Sequence, residues 1–180
     1  RTLDIPIVQS EKIIHSLDFL AGKRPASAPS SIVIIGGGDT AMDTARVAKR
    51  IYGKSKIQII CREKEENMPA SKKEIKEAAE EGVNIRCSAQ PTEIVSRAQY
   101  LEVGFSEVEN RLENNKLQLI PTNHYFAEQA DCVLIAAGTK AELPFSIEKD
   151  IQDKVFIAGD ALTGPSSVVQ AMASSKAAVQ

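Results

Sequence analysis

The sequence is poor in aromatic residues and long apolar runs, and it carries no excess of positive charge. Phe, Tyr and Trp make up 4% of its 180 residues, and Trp is absent. Its 22 Lys and Arg oppose 24 Asp and Glu, which gives a net charge of −2 and no predicted surface for a nucleic-acid backbone. The apolar runs Ile32–Ile35 and Cys132–Ala137 are far shorter than the roughly 20 residues that cross a bilayer. We therefore expect neither nucleic acid nor a membrane as a partner.

Cysteine is scarce and shows no metal-binding or redox spacing. Cys61, Cys87 and Cys132 form no C-x-x-C pair, and each lies in an apolar or alternating segment typical of a strand. We interpret them as small buried residues in a reducing compartment, with a redox or metal role as the alternative. The expected location is the cytoplasm, and no metal site is predicted.

A strand, a glycine turn, a helix and a second strand follow one another near residue 30. Ser31–Ile35 is a β-branched apolar run, as expected of a strand buried on both faces of a parallel sheet. Gly36–Ala41 follows directly, and a helical pattern then runs to Gly53. The next strand is Lys56–Cys61. This succession predicts a βαβ unit.

The glycine turn matches the G-x-G-x-x-G/A pattern in the context that this pattern requires, between a strand and a helix. Gly36 is expected to make the tight turn, Gly38 to let a pyrophosphate approach the backbone, and Ala41 to allow close packing of helix on strand. The helix N-terminus would attract the phosphates. Asp39 is expected to cap the helix, and Thr40 to donate to a phosphate. The alternatives are a purely structural turn or a mononucleotide site.

The residues after the second strand bear on the choice of dinucleotide. Arg62 could pair with a 2′-phosphate, whereas Glu63 could accept hydrogen bonds from ribose hydroxyls. A solvated charged loop is the alternative interpretation of both residues.

Weaker patterns predict the remaining elements. Ser71 and Glu74 form a capping box that begins a helix. The other predicted elements are a helix from Ser10 to Gly22, a linker over Lys23–Ser30, strands over Val83–Cys87, Cys132–Ala137 and Lys154–Ala158, an antiparallel meander over about 90–130 with turns near Glu109–Arg111 and Asn114–Asn115, and a helix from about Ser166.

The sequence resembles the pyridine-nucleotide domain of the glutamate synthase small-subunit-like oxidoreductases, a group that includes dihydropyrimidine dehydrogenase and selenate reductases. The residues that carry the resemblance are Leu3–Pro6, Leu17–Leu20, Gly36–Asp43, Arg62, Asn67–Ala70, Glu74, Glu80–Val83 and Val155–Ala161. Members of this group bind FAD in one domain and NADH or NADPH in a second domain inserted into it. They pass electrons from the nicotinamide to FAD and on to 4Fe-4S clusters.

The resemblance implies an α/β, Rossmann-like parallel sheet flanked by helices, with an antiparallel meander insertion and terminal pieces of a split FAD domain. Residues 1–28 would be an arm and helix from the FAD-domain side. Residues 29–138 would be the NAD(P)H-binding domain, and 139–180 a C-terminal fragment of the FAD-binding domain. An FAD domain and an iron–sulfur domain or subunit would then be the partners.

The cofactor-binding candidates are Gly36, Gly37, Gly38, Asp39, Thr40, Ala41, Arg62, Glu63, Gly138 and Asp160. By resemblance, Arg62 faces the adenosine ribose, Gly138 lies where the chain returns towards the flavin domain, and Asp160 accepts a hydrogen bond from the FAD ribityl chain. Glu63 replaces a second Arg of the family pattern, which leaves NADH and NADPH both open.

No residue of the sequence has the pattern of a general acid, base or nucleophile, as expected where cofactors carry out hydride transfer. A second dinucleotide turn and clustered cysteines are absent from this chain, so we expect the chain alone to be inactive and without flavin. The alternatives are a non-catalytic NAD(P)-sensing domain and a thioredoxin-reductase-like disulfide reductase. The missing C-x-x-C pair weighs against the latter.

Overall fold

The structure is a computed structural model that describes residues 3–113, 116–138, 154–164 and 168–178. The chain divides into a larger unit, residues 3–138, and a smaller unit formed mainly by residues 139–180. The turn predicted at Asn114–Asn115 and the predicted start of the last helix at Ser166 lie outside the described residues. Over the described ranges, no helix is long and apolar enough to cross a membrane.

Strands and helices alternate through the first half of the larger unit, and strands dominate its second half. Its elements are β1 (Ile13–His15), α1 (Ser16–Leu20), β2 (Ser31–Ile35), α2 (Asp39–Ile51), β3 (Lys56–Ile60), a 3₁₀ turn (Glu65–Asn67), α3 (Lys72–Glu80), β4 (Asn84–Arg86), β5 (Ala89–Ser96), β6 (Leu101–Glu113), β7 (Lys116–Ala130) and β8 (Cys132–Ile135). The smaller unit contains α4 (Asp160–Thr163) and α5 (Val168–Ala177).

The strands of the larger unit form two sheets. A five-stranded parallel sheet has the order β1-β8-β2-β3-β4, and a three-stranded antiparallel sheet has the order β5-β6-β7. The predicted fold class, a Rossmann-like parallel sheet with helices and a meander insertion, is confirmed.

The central strand β2 is buried on both faces, which explains its unbroken apolar sequence. Ile32 and Ile34 pack in the same cluster as Met42 of α2. Val33 and Ile35, on the opposite face, pack in the same cluster as the meander residue Phe105. The parallel sheet therefore lies between a layer of helices and the meander.

The helix predicted from Ser10 to Gly22 is wrong in its first half. Ile13–His15 forms β1, which pairs in parallel with β8, and the helix starts only at Ser16. The amide of Val133 donates to the carbonyl of Lys12 at 2.9 Å. Pairing with the edge of β8 satisfies backbone groups that local helical spacing does not take into account.

Two further predictions are wrong. Glu109–Arg111 is not a turn but part of β6, paired with residues 118–120 of β7, because the two strands continue beyond it. Val155–Ala158 is not a strand. This segment has strand propensity, but a strand also needs a neighbour to pair with, and no strand is described in the smaller unit.

Within the smaller unit, a hydrogen bond links the two described helices. Gly159, with a φ of +63°, precedes α4, and its amide donates to Oγ of Ser174 in α5 at 3.1 Å. This hydrogen bond joins the turn before α4 to α5.

Candidate dinucleotide-binding site

The glycine turn lies at the carboxyl end of β2, between the ends of β8 and β3. The chain continues from β2 to β3 on one side, whereas β8 occupies the other side of β2. In open parallel sheets, ligands bind at such a switch point, beyond the carboxyl ends of the strands. The topology thus places Gly36–Ala41 where this class of fold binds nucleotides.

Gly36 occupies a position that no other residue fits. Its φ of +140° lies in the region that favours glycine. A Cβ atom added there would overlap the carbonyl oxygen of Ala136 and lie 2.8 Å from the carbonyl carbon. The amide of Gly36 also donates to the carbonyl of Ile60 at 3.1 Å, so the start of the turn is held from both sides.

Gly37 and Gly38 differ in what surrounds them. A Cβ added to Gly37 would lie 2.9 Å from Cβ of Cys61 and 3.1 Å from Oε2 of Glu63. A Cβ added to Gly38 would have no atom within 4 Å. Gly38 is also the N-cap of α2, where the first helical amides have no partner inside the helix. The backbone is therefore bare at the point where a pyrophosphate would approach.

Asp39 does not cap α2 as predicted. The N-cap of α2 is Gly38, and Oδ1 of Asp39 instead accepts a hydrogen bond from the amide of Ser71 at 2.8 Å. Ser71 is the N-cap of α3, and its Oγ accepts from the amide of Glu74 at 3.2 Å. Asp39 therefore uses its carboxylate to join the starts of α2 and α3, because the Ser71 amide is a donor that α3 itself leaves unpaired.

Thr40 and Ala41 complete the first turn of α2. Thr40 is half-buried, and its carbonyl accepts a hydrogen bond from Oγ1 of Thr44 at 2.6 Å. Ala41 is fully buried in the core between helix and sheet. Its small side chain allows the close helix–strand approach that the glycine motif requires.

The segment before α3 contacts the glycine turn directly. The amide of Ala70 donates to the carbonyl of Gly37 at 3.0 Å, and Met68 and Ala70 are both buried. This contact gives a structural reason for the Asn67–Ala70 segment, whose sequence alone suggested no role.

Arg46 of α2 holds α3 beside the site. It forms ion pairs of 2.7, 2.9 and 2.8 Å with Glu74, Glu77 and Glu81. Hydrogen bonds from Arg46 and Arg50 lower the pKa of Glu81. The two helices that frame the glycine turn are therefore joined by charge as well as by packing.

The surroundings of Asp43 in α2 disfavour the charged form of its carboxyl group. Burial raises the pKa of Asp43, and the negative charges of Glu74 and Asp39 raise it further. The carboxylates near the start of α2 thus repel one another. The hydrogen bond that the Ser71 amide donates to Asp39 offsets part of that repulsion.

Glu63 points towards the glycine turn, and Arg62 is paired with it. Nε of Arg62 lies 3.0 Å from Oε1 of Glu63. The Glu63 side chain is 13% exposed, whereas that of Arg62 is 51% exposed. Together with the closeness of Oε2 to Gly37, this places the Glu63 carboxylate on the inner side of the loop.

Asn110 of β6 holds the loop that contains Glu63. Its Nδ2 donates to the carbonyl of Arg62 at 3.2 Å, and its Oδ1 accepts from the amide of Lys64 at 3.2 Å. Sequence reasoning missed this role, since Asn110 had the pattern of a turn residue. No local signal marks a side chain that bonds to backbone 48 residues away.

We expect Asn110→Ala to loosen this loop with little effect on the fold. The variant loses two hydrogen bonds, each worth about 1 kcal/mol, and both lie at the surface. The Lys64 amide should then exchange its hydrogen at least about tenfold faster, the equivalent of 1.4 kcal/mol. Hydrogen exchange followed by NMR measures this rate. Asn84→Ala, at an exposed position of β4, is the control. Equal protection of the Lys64 amide in both variants would show that Asn110 does not hold this loop.

Gly138 and Asp160 belong to different units of the chain. Gly138 follows β8 with a φ of +87°, and a Cβ added to it would have no atom within 4 Å. Asp160 begins α4 and belongs to the smaller unit. The flavin-related roles of both residues stay predictions.

The described residues contain no group of three or more His, Cys, Asp and Glu that could hold a metal ion. The end of β2 brings together a glycine turn, the N-terminus of α2 and one charged loop.

A family model agrees with this geometry. The model of the pyridine nucleotide-disulphide oxidoreductases matches residues 2–175. The chain belongs to this family. Members of this family bind FAD and NAD(P)H.

Curated relatives extend well beyond the chain. It is 30% identical to the NAD-dependent dihydropyrimidine dehydrogenase subunit PreT of Escherichia coli (strain K12), over 98% of this chain and 43% of that protein. It is 30% identical to the glutamate synthase [NADPH] small chain of the same organism, over 82% of this chain and 37% of that protein. The resemblance inferred from the sequence is confirmed. The chain spans less than half the length of these relatives.

Solved structures show the same fold. FprA of Mycobacterium tuberculosis in complex with NADPH superposes with a TM-score of 0.72 over 99% of this chain and 58% of that chain. The identity is 14%, so this likeness concerns the fold alone.

Proposed function

We propose that the chain is the NAD(P)H-binding module of a flavin-dependent oxidoreductase. The observation that carries this proposal is the open backbone at Gly38, which lies at the N-terminus of α2 beyond the end of β2. A pyrophosphate there would accept hydrogen bonds from the first amides of α2 and gain from the helix dipole. The residues present therefore fit the cofactor.

The protein's contribution is to position the cofactor. A bound nicotinamide supplies hydride chemistry. Gly36 fixes the turn, Gly38 admits the pyrophosphate, and Ala41 brings α2 close to β2. Arg62 and Glu63 face the adenosine ribose in this arrangement.

In the parent enzyme, we propose that electrons pass from NAD(P)H to FAD and on to iron–sulfur clusters. The names of two relatives, an NAD-dependent dihydropyrimidine dehydrogenase subunit and a glutamate synthase [NADPH] small chain, support the nicotinamide end of this path. Residues 1–28 and 139–180 would then belong to the FAD-domain side, with Gly138 and Asp160 facing the flavin. Free Cys61, Cys87 and Cys132 are consistent with a cytoplasmic enzyme. The chain alone would bind no flavin and oxidise no NAD(P)H.

The cofactor preference rests on Glu63. The relatives' names include both NAD and NADPH, so likeness to them does not decide it. Like charges about 4 Å apart cost roughly 1–4 kcal/mol in water or near a protein surface, so the inward Glu63 carboxylate disfavours a 2′-phosphate. Arg62, which could bind that phosphate, is already paired with Glu63. We therefore propose a weak preference for NADH, or use of both cofactors.

Glu63→Arg should tighten binding of NADPH relative to NADH by about tenfold, or 1.4 kcal/mol. It removes the repelling carboxylate and adds a guanidinium that can bind phosphate. Both cofactors are titrated at equal salt, and the NMR signals of the Gly36–Thr40 amides are followed. These amides should shift in the parent and in the variant.

Glu65→Arg is the matched control for this experiment. It makes the same change of charge at an exposed position two residues further on, so it should leave the NADPH/NADH ratio nearly unchanged. An equal ratio change in both variants would mean that net charge alone is responsible. If neither cofactor shifts the glycine-turn amides at millimolar concentration, the proposed binding site is wrong.

A further inference from the structure

Two cysteines that are far apart in the sequence lie next to each other beneath the glycine turn. Sγ of Cys61 is 3.6 Å from Sγ of Cys87. Ile60, the last residue of β3, pairs with Arg86, the last residue of β4, and one cysteine follows directly after each. The two thiols are therefore neighbours across adjacent parallel strands.

This position suits a disulfide. Adjacent strands lie about 4.8 Å apart, which is within the Cα–Cα range of about 4.4–6.8 Å that disulfides span. The sulfur atoms need to approach from 3.6 Å to about 2.05 Å. The register of β3 and β4 already places the two thiols side by side.

We propose that Cys61 and Cys87 form a modification site, at which hydrogen peroxide converts the two thiols into a disulfide and weakens dinucleotide binding. Neither residue is part of a C-x-x-C pair, so the sequence spacing did not predict this site. The effect on binding rests on the proposed function, whereas disulfide formation does not.

The chemistry balances with one peroxide. The Cys87 thiolate attacks a peroxide oxygen, the O–O bond breaks, and the departing hydroxide takes up a proton to become water. Cys61 then attacks the sulfur of the Cys87 sulfenic acid, the S–O bond breaks, and a second water leaves. Cys87 reacts first because it is half-buried, whereas Cys61 is 2% exposed. Both sulfurs are oxidised, and one peroxide is reduced to two waters.

The pair is in contact with the binding site. A Cβ added to Gly37 would lie 2.9 Å from Cβ and 3.4 Å from Sγ of Cys61. The Cys61 thiol also lies 3.6 Å from the carbonyl oxygen of Glu63. Turning Sγ of Cys61 towards Cys87 ends that contact and changes the packing under Gly37. The glycine turn and the loop that contains Glu63 therefore both lose a packing contact when the disulfide forms.

Oxidation should be slow near neutral pH and faster in alkali. Burial raises the pKa of both thiols. The charges of Glu65, Glu63 and Glu66 raise that of Cys87 further, against a lowering by the hydrogen bond from Cys61. Because the thiolate is the nucleophile, the rate should rise about tenfold per pH unit below those pKa values.

The test treats the chain with hydrogen peroxide at about pH 9, where thiolates form more readily, and counts thiols after denaturation. We expect the three thiols to fall to one, the mass to drop by two hydrogen atoms, and a peptide to link Cys61 with Cys87. Cys132→Ser should form the same link, whereas Cys87→Ser should not. Three surviving thiols, or a link through Cys132, would overturn the modification site.

Binding of NADH to the oxidised and the reduced chain tests the second part. We expect oxidation to weaken binding severalfold and dithiothreitol to restore it. A disulfide that forms without any change in affinity would overturn the coupling. A reduced chain that binds no dinucleotide would contradict the proposed function, whereas the thiol count would still decide the modification site.

Discussion

Gly38→Val is expected to abolish dinucleotide binding while the fold stays intact. A Cβ at this position meets no protein atom within 4 Å, so the valine side chain occupies the space that a pyrophosphate would need. The backbone of Gly38, with φ of −94° and ψ of 175°, is extended and suits a β-branched residue. The side chain therefore obstructs the ligand and not the protein.

We expect the variant to bind NADH at least about 100-fold more weakly, a loss of some 2.7 kcal/mol. Calorimetry or NMR titration measures the affinity, and circular dichroism checks the fold. Gly53→Ala is the control, because a Cβ at Gly53 makes only an ordinary contact, 3.7 Å from the carbonyl of Lys49. Equal affinity in the parent and in Gly38→Val would show that the cofactor binds elsewhere.

Gly36→Ala should have the opposite effect and damage the fold. Its φ of +140° is strained for any residue with a side chain, and the added Cβ would overlap the carbonyl of Ala136. Strain of this kind costs about 1–3 kcal/mol, and the steric overlap adds to it. We expect the free energy of unfolding to fall by about 3 kcal/mol or more.

Denaturation with urea, followed by circular dichroism, measures this loss. It is a large fraction of the roughly 5–15 kcal/mol that stabilises a typical domain. Gly38→Ala is the matched control in the same turn and should change stability by less than about 1 kcal/mol. Equal stabilities of the two alanine variants would refute the close contact between the ends of β2 and β8.

The parts of the fold that the sequence predicted correctly are those fixed by neighbouring residues. The βαβ unit follows from an apolar run, a glycine turn and a helical pattern within about 30 residues. The capping of α3 by Ser71 is equally local. Glu63 could be placed after β3, but only the structure shows that it points inwards.

Contacts between distant residues could not be predicted in this way. β1 is a strand because β8 provides its partner, although the local spacing of Ile13, Ile14 and Leu17 favours a helix. The bonds from Asn110 to the Glu63 loop join different sheets, and they have no counterpart in local sequence. The same applies to the two cysteines, which become a pair only when β3 and β4 align.

The neighbouring positions of β2 and β8 also affect how the chain acquires its structure during synthesis. The amides of Ser30 and Ser31 donate to Asp131, and the second of these bonds spans 100 residues. On the ribosome, β2 therefore emerges long before the strand that forms one wall of its glycine turn. Closing so long a loop costs entropy and slows folding. The nucleotide turn should consequently reach its final shape only after the meander has been translated, and a nascent chain stalled before β8 would lack it.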